Sequence, residues 1–198
     1  MAVRRDDDDP RPARRLQARD AHLVEERIDS RPVFDGHLLH VRSDRVRLPD
    51  GREAVREYVV HPGAVLVVPM LRDDRVVVVR QFRYPNNAVF VEFPAGKLDG
   101  GEDPLDCAKR ELREEAGYLA GRWTPLGVVH SVVAYTTETI GLYLAEDLEH
   151  VGARLDDGEF LDVEVVAYDA LVADADEGRI TDAKTLAALY HLERRRRR

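Results

Sequence analysis

The stretch "GKLDGGEDPLDCAKRELREEAGY" runs from Gly96 to Tyr118, and its second half decides how the rest of the chain is read. Asp103 suits a helix N-cap, Pro104 the first helical position and Gly117 the C′ position, so a helix is predicted between them. Leu105, Ala108, Leu112 and Ala116 form an apolar stripe at helical spacing. Glu111, Glu114 and Glu115 share another sector, because residues three and four apart are neighbours on a helix surface. Like charges so placed cost a helix about 0.2–0.5 kcal/mol per pair, and acids near its C-terminus oppose the macrodipole. Two readings are open. The acids form a solvated face paired with Arg110 and Arg113, or they hold a cation. A hard ion such as Mg²⁺ would reverse both costs, since it takes oxygen ligands from a few carboxylates together with substrate phosphates.

The rest of the chain sets limits on what that helix can serve. Its 198 residues suit one domain with an appendage, and 44% hydrophobic residues allow a core of good size. The formal net charge of −8 argues against general nucleic-acid binding. An anionic substrate stays open, because a metal inverts the local field. A single cysteine, Cys107, permits no intramolecular disulfide and fits a reducing compartment. No apolar run reaches the ~18–20 residues of a membrane span, and the N-terminus lacks the apolar stretch of a secretory signal. A cytoplasmic protein is expected.

Residues 1–20 are charge blocks and prolines, read as a disordered tail. Residues 21–60 read as an antiparallel β region: "VFDGHLLHVRSDRVRL" alternates, and Pro49-Asp50-Gly51 turns it into the next run. Residues 61–193 read as the larger domain, which carries the helix with the clustered acids. Strands are predicted at 64–71, 75–82, 88–94, 122–132, 139–145 and 160–168, with late helices at 169–177 and 182–193. Strands around one early helix with two late helices suggest an α/β sandwich with a mixed sheet. Residues 194–198 are five arginines. They read as a solvated helix end, where cations suit the dipole, or as an RNA or membrane-surface contact.

Gly96, Glu102, Arg110, Glu111, Glu114, Glu115 and Gly117 match GX5EX7REUXEEXGU, where U is a bulky aliphatic residue; Tyr118 departs from it at the last position. This resembles the Nudix box. The resemblance implies the Nudix α/β/α sandwich and hydrolysis of a nucleoside diphosphate linked to another group, with Mg²⁺ or Mn²⁺. By the same resemblance Glu111 and Glu115 ligate metal, with the Ala95 carbonyl as a backbone ligand. Glu114 and Glu102 are further acids at the metal, and Arg110 holds the acids by ion pairing.

The flanks point to a subgroup. "VRQFRYPNNAVFVEFPAGKLDGGE" is similar to enzymes that hydrolyse ADP-ribose and related nucleotide sugars. That resemblance implies Arg83 as a phosphate contact, since a guanidinium suits bidentate phosphate binding. It also implies Glu92, and less directly Arg80, near substrate. The N-terminal β region is similar to the subgroup's extra β-domain, which mediates a homodimer and supplies aromatics to the adenine; Phe34 and Tyr58 are candidates there, and Arg56 reaches the substrate. A loop acid after the box acts as metal ligand or general base: Glu159 is the best match, with Asp157 and Asp162 behind it. Glu138 is a further substrate contact, whereas His130 reads as a strand residue. The segment "HSVVAYTTE" (130–138) lacks the proline usual in ADP-ribose enzymes, which keeps GDP-mannose, other nucleotide sugars and dinucleoside polyphosphates open. A non-hydrolysing ADP-ribose sensor is the remaining alternative, and the intact box argues against it.

Overall fold

Six residues in a row, Ala64–Pro69, organise the larger part of the molecule. In this strand Val65, Leu66, Val67 and Val68 are all fully buried, so both faces are covered, as its unbroken apolar run requires. Val65 and Val67 pack with Cys107, Ala108, Leu112 and Ala116 of the box helix. Leu66 and Val68 pack on the other side, with Leu189 and Leu192 of the last helix. The pleat sends alternate residues to opposite faces, so one strand serves two cores.

The computed structural model describes Arg11, residues 17–155 and residues 157–197. The expected tail 1–20 lies outside the described residues except for Arg11 and 17–20, and Arg198 of the arginine run lies outside them too. The chain divides into two compact units: Met1–His61 with Val132–Glu138, and Pro62–Ser131 with Thr139–Arg198.

In the first unit, β1 (Glu26–Asp35), β2 (His40–Arg47) and β3 (Glu53–Val60) form an antiparallel sheet in the order β1-β2-β3. The loop after Leu48 turns through Gly51, whose φ of 86° lies in the left-handed region that glycine tolerates. The segment 132–138 joins β3: Val59 N–H donates to Tyr135 O at 2.9 Å and Thr137 N–H to Val59 O at 3.0 Å.

In the second unit, β4 (Ala64–Pro69) pairs parallel with β9 (Thr139–His150) and antiparallel with β7 (Ala95–Lys97), and β8 (Tyr118–His130) completes the mixed sheet β7-β4-β9-β8. Strands β5 (Arg75–Arg83), β6 (Ala88–Glu92) and β10 (Leu161–Ala167) form a second sheet in the order β10-β5-β6. Helix α1 (Pro104–Glu111) packs on β4 and β7, while α3 (Ala183–Arg196) packs on β8, β4 and β9. Helix α2 (Tyr168–Asp176) follows β10 directly. The expected α/β/α sandwich with a mixed sheet and an N-terminal antiparallel β extension is the architecture found.

Local differences from the sequence reading have physical causes. β7 is three residues long, too short for a period-two pattern to show. β8 starts at Tyr118, directly after the box glycine, and not near 122. α3 runs on through the arginines to Arg196, because arginine is a good helix former. The box helix ends in a widened turn over Leu112–Ala116, where Gly117 N–H reaches back to Arg113 O and Leu112 O with φ at 74°. Among the described residues no helix is long and apolar enough to cross a membrane.

Candidate active site

Helix α1 starts as its sequence dictates: the Asp103 carboxylate accepts from Leu105 N–H at 2.9 Å, and Pro104 follows. Its apolar residues fix its rotation on β4, and that rotation carries the acids to the edge of the sheet at β7. There Glu111 lies against Gly96: a Cβ built on Gly96 would stand 1.8 Å from its Oε1. Glu115 lies one turn on, and its Oε2 accepts from Ala95 N–H at 2.9 Å.

Arg110 binds the acids together. Its Nε and Nη2 each donate to Glu102 at 3.0 Å, a two-point pairing with one carboxylate. Its Nη1 donates to Glu111 Oε1 at 2.7 Å and to Glu114 Oε2 at 3.1 Å. Nη2 also reaches Lys97 O at 3.2 Å, which ties the helix to β7. The Arg110 guanidinium, with help from Asp99 N–H, holds the Glu102 carboxyl down to about 2. The Cys107 thiol beside it is pushed up to about 12 by burial, so it stays protonated and unreactive.

Glu111 and Glu115 behave in the opposite way. Burial raises Glu111, against the pull of Arg110. Burial pushes Glu115 up to about 8; the Ala95 N–H lowers it, while the charges of Glu111 and Glu159 raise it further. Glu159 is therefore near both, on the loop before β10. Asp157 lies on the same loop, and Asp162 on β10 opposite Arg80. Among the described residues no three acidic, histidine or cysteine side chains stand ready as a metal cage; Arg110 Nη1 takes up Glu111 and Glu114. The donor set nonetheless suits a hard divalent cation: carboxylate oxygens are crowded at one strand end, and a carboxyl 5% exposed, Glu115, has one backbone N–H for its charge.

Two separate sequence candidates turn out to be partners. Arg83 Nε and Nη2 donate to the two oxygens of Glu92, both at 2.8 Å. Glu92 is 2% exposed, and Lys184 at the start of α3 also pairs with it. Lys184 in turn pairs with Asp182 Oδ1 at 2.9 Å. Burial alone would raise Glu92, but Arg83 and Lys184 outweigh it and hold the carboxyl below the usual range. The next residue, Phe93, donates its N–H to Thr185 Oγ1 at 3.1 Å. Lys184 and Thr185 were missed by sequence reasoning. Their signal was the acid in "EFP", which needs a cation if buried.

Arg80 pairs with Glu164 at 3.3 Å, and His130 closes β8. Four candidates belong to the first unit. Arg56 pairs with Glu25, Nε to Oε2 at 2.9 Å. Phe34 is 56% exposed on β1. Glu138 faces His61 Nε2 at 3.4 Å. In the same unit Tyr58 donates its hydroxyl to the buried Asp44 at 3.1 Å.

The NUDIX domain model matches residues 60–189. The chain belongs to the Nudix family. The first unit of this Nudix protein is matched over residues 25–59 by the nucleoside diphosphate sugar hydrolase N-terminal domain. The chain is 37% identical over 174 residues to the ADP-ribose pyrophosphatase of Bacillus subtilis (strain 168), covering 86% of this chain and 94% of that protein. It is 38% identical over 174 residues, with the same coverage, to a methanol dehydrogenase activator of Bacillus methanolicus. Among solved structures, an ADP compounds hydrolase has the same fold with a TM-score of 0.78 at 23% identity, covering 86% of this chain and 92% of that one.

Proposed function

We propose that this Nudix protein is a pyrophosphohydrolase that cleaves ADP-ribose to AMP and ribose 5-phosphate. The observation that carries the reading is the gathering of Glu111 and Glu115 at β7, one against Gly96 and one on Ala95 N–H. The substrate follows from the name of the Bacillus subtilis relative, which the chain matches almost end to end.

Glu111, Glu115, the Ala95 carbonyl and Glu159 would hold a divalent cation, Mg²⁺ or Mn²⁺. When bound, such a cation neutralises the pyrophosphate, polarises phosphorus and lowers the pKa of a water. Glu114 and Glu102 stay with Arg110, which keeps Glu111 aimed at the strand. Arg83 uses Nε and Nη2 on Glu92, and its Nη1 makes no hydrogen bond among the described residues, which leaves that edge for a substrate phosphate. Glu159 accepts the proton of the attacking water; water oxygen bonds to one phosphorus as the bridging P–O bond breaks, and the leaving phosphate takes the electron pair. Glu92 acts by holding Arg83 in place. Phe34, Arg56 and Glu138 are proposed substrate contacts carried by the first unit. Its exposed Val33, Phe34, Leu38, Leu39 and Val55 are proposed to pair with a second copy as a homodimer. We place the protein in the cytoplasm.

A panel of ADP-ribose, GDP-mannose and dinucleoside polyphosphates, run with Mg²⁺ and with Mn²⁺ and read by product chromatography, tests the substrate. AMP and ribose 5-phosphate as the fastest products support the reading; faster release of GMP from GDP-mannose would overturn it. Glu115→Gln is expected to lower kcat by about 10²-fold or more, the scale of losing one electrostatic group at a reacting centre. Binding of ADP-ribose without turnover in the wild-type chain would make it a sensor.

A further inference from the structure

The arginine run has no part in the proposed reaction, and the structure divides its members into two kinds. Arg196 stacks 4.5 Å from the Tyr168 ring and pairs with Asp74 at 3.4 Å. Arg197 pairs with Glu193 at 3.4 Å. Arg196 thus ties the end of α3 to α2 and to the turn after β4, while Arg197 pairs within its own helix. Arg194 lies 5.8 Å from the Tyr190 ring and donates to its hydroxyl at 3.4 Å, and it meets no carboxylate among the described residues. Among the described residues neither Arg195 nor His191 pairs with an acid. In a chain of formal charge −8, these three neighbouring basic residues on one helix form a local positive patch.

The cluster also has a floor. His191, Arg194 and Arg195 occupy positions i, i+3 and i+4 and so share one face of α3. With Pro125 and Leu126 of β8 they line a cleft. β8 is irregular at that point: its register against β9 shifts between Pro125 and Gly127. A Cβ on Gly127 would stand 2.9 Å from His191 Cε1, so the imidazole uses space that only glycine leaves. The bulge bends the strand, the glycine admits the ring, and two guanidinium groups stand at the rim.

We propose that this cleft is a second anion site that takes a phosphoryl group. Arginine offers paired N–H donors matched to phosphate oxygens, and the imidazole adds a donor at the floor. The site is separate from the box acids. Arg195 stands about 16 Å along α3 from Lys184, at about 1.5 Å per residue. The proposal therefore does not depend on the proposed reaction. The phosphoryl group can come from a free phosphorylated metabolite or from a nucleic-acid backbone, and the two sources separate in the test.

The full chain, kept free of divalent ions with a chelator at low salt, is titrated with inorganic pyrophosphate and separately with a short oligouridylate. The His191 ring resonances report on the cleft itself. The expected result is a saturable shift of those resonances. Arg194→Gln with Arg195→Gln should weaken it by about tenfold or more, and Arg83→Gln should leave it unchanged. Gly127→Ala, which displaces the imidazole, should weaken it as well. A response to pyrophosphate assigns the site to free phosphorylated molecules; a response to oligouridylate alone assigns it to a nucleic-acid backbone. His191 resonances unmoved by either probe, or a double variant that binds as wild type, would overturn the proposal.

Discussion

Glu111 fills the space in which a side chain at position 96 would begin. The Cβ of an alanine there would lie 1.8 Å from Glu111 Oε1 and 1.9 Å from its carboxyl carbon. The first glycine of the box is thus required by a neighbour's volume, and its backbone does not need a left-handed conformation. Gly96→Ala must push Glu111 off β7. Misplacing a reacting group by about 1 Å can cost about 10² in rate, so kcat should fall by that order while the fold persists by circular dichroism. A variant with normal turnover would show that Glu111 has somewhere else to go.

The two glycines Gly117 and Gly178 give a controlled comparison. Both have nearly the same φ, 74° and 76°. A Cβ on Gly178 would meet nothing within 4 Å, whereas one on Gly117 would meet Ala153 N at 2.5 Å and Gly152 C at 2.7 Å. Gly178→Ala should cost only backbone strain, about 1–2 kcal/mol. Gly117→Ala should cost the same strain and, in addition, the clash. It should also lower activity, because Val151 and Gly152 N–H both donate to Gly117 O on the path to the Glu159 loop. Equal denaturant midpoints for the two variants would remove this account.

Glu92 gives a pH dependence of known sign. Its folded carboxyl is held below the unfolded range of about 4.3 by Arg83 and Lys184. Unfolding therefore takes up a proton, so the stability it contributes is present above that range and is lost as pH falls through the folded pKa. The gap in melting temperature between wild type and Glu92→Gln should be widest near neutrality and close in acid. A gap that grows on acidification would reverse the assignment. At neutral pH, Glu92→Ala removes the shared partner of Arg83 and Lys184; because Arg83 reaches solvent and Lys184 keeps Asp182, it should cost about 1–3 kcal/mol.

Leu112 is fully buried between the box helix and β4. Leu112→Ala should destabilise by about 2–5 kcal/mol, the range for a buried leucine, measured by urea unfolding. Because this residue mounts the acids without touching them, residual activity per folded molecule should stay within an order of magnitude of wild type.

The helix carrying the box was legible because every local signal agreed: Asp103 caps, Pro104 opens, Gly117 closes, and the apolar stripe sets the face. The layered architecture followed from the apolar run at Ala64–Pro69 and the late helices. The Arg83–Glu92–Lys184 network was not legible, because Lys184 is 92 residues from Glu92 in the chain and no periodicity links them. Strand β7 was hidden for another reason: three residues with a glycine at the centre carry no alternation. The bulge in β8 that admits His191 depends on a contact between two distant elements, and the glycine at 127 alone gave no hint of it.

The alternation along β4, with Val65 and Val67 toward the box helix and Leu66 and Val68 toward α3, limits how this chain can change its length. One residue inserted or deleted within the strand would exchange the two sets, offering each helix the side chains shaped for the other. Both cores and the acids mounted on one of them would fail together. Length variation should be tolerated only outside this strand, in connections such as residues 71–74, and an insertion scan through 64–69 should find no active position.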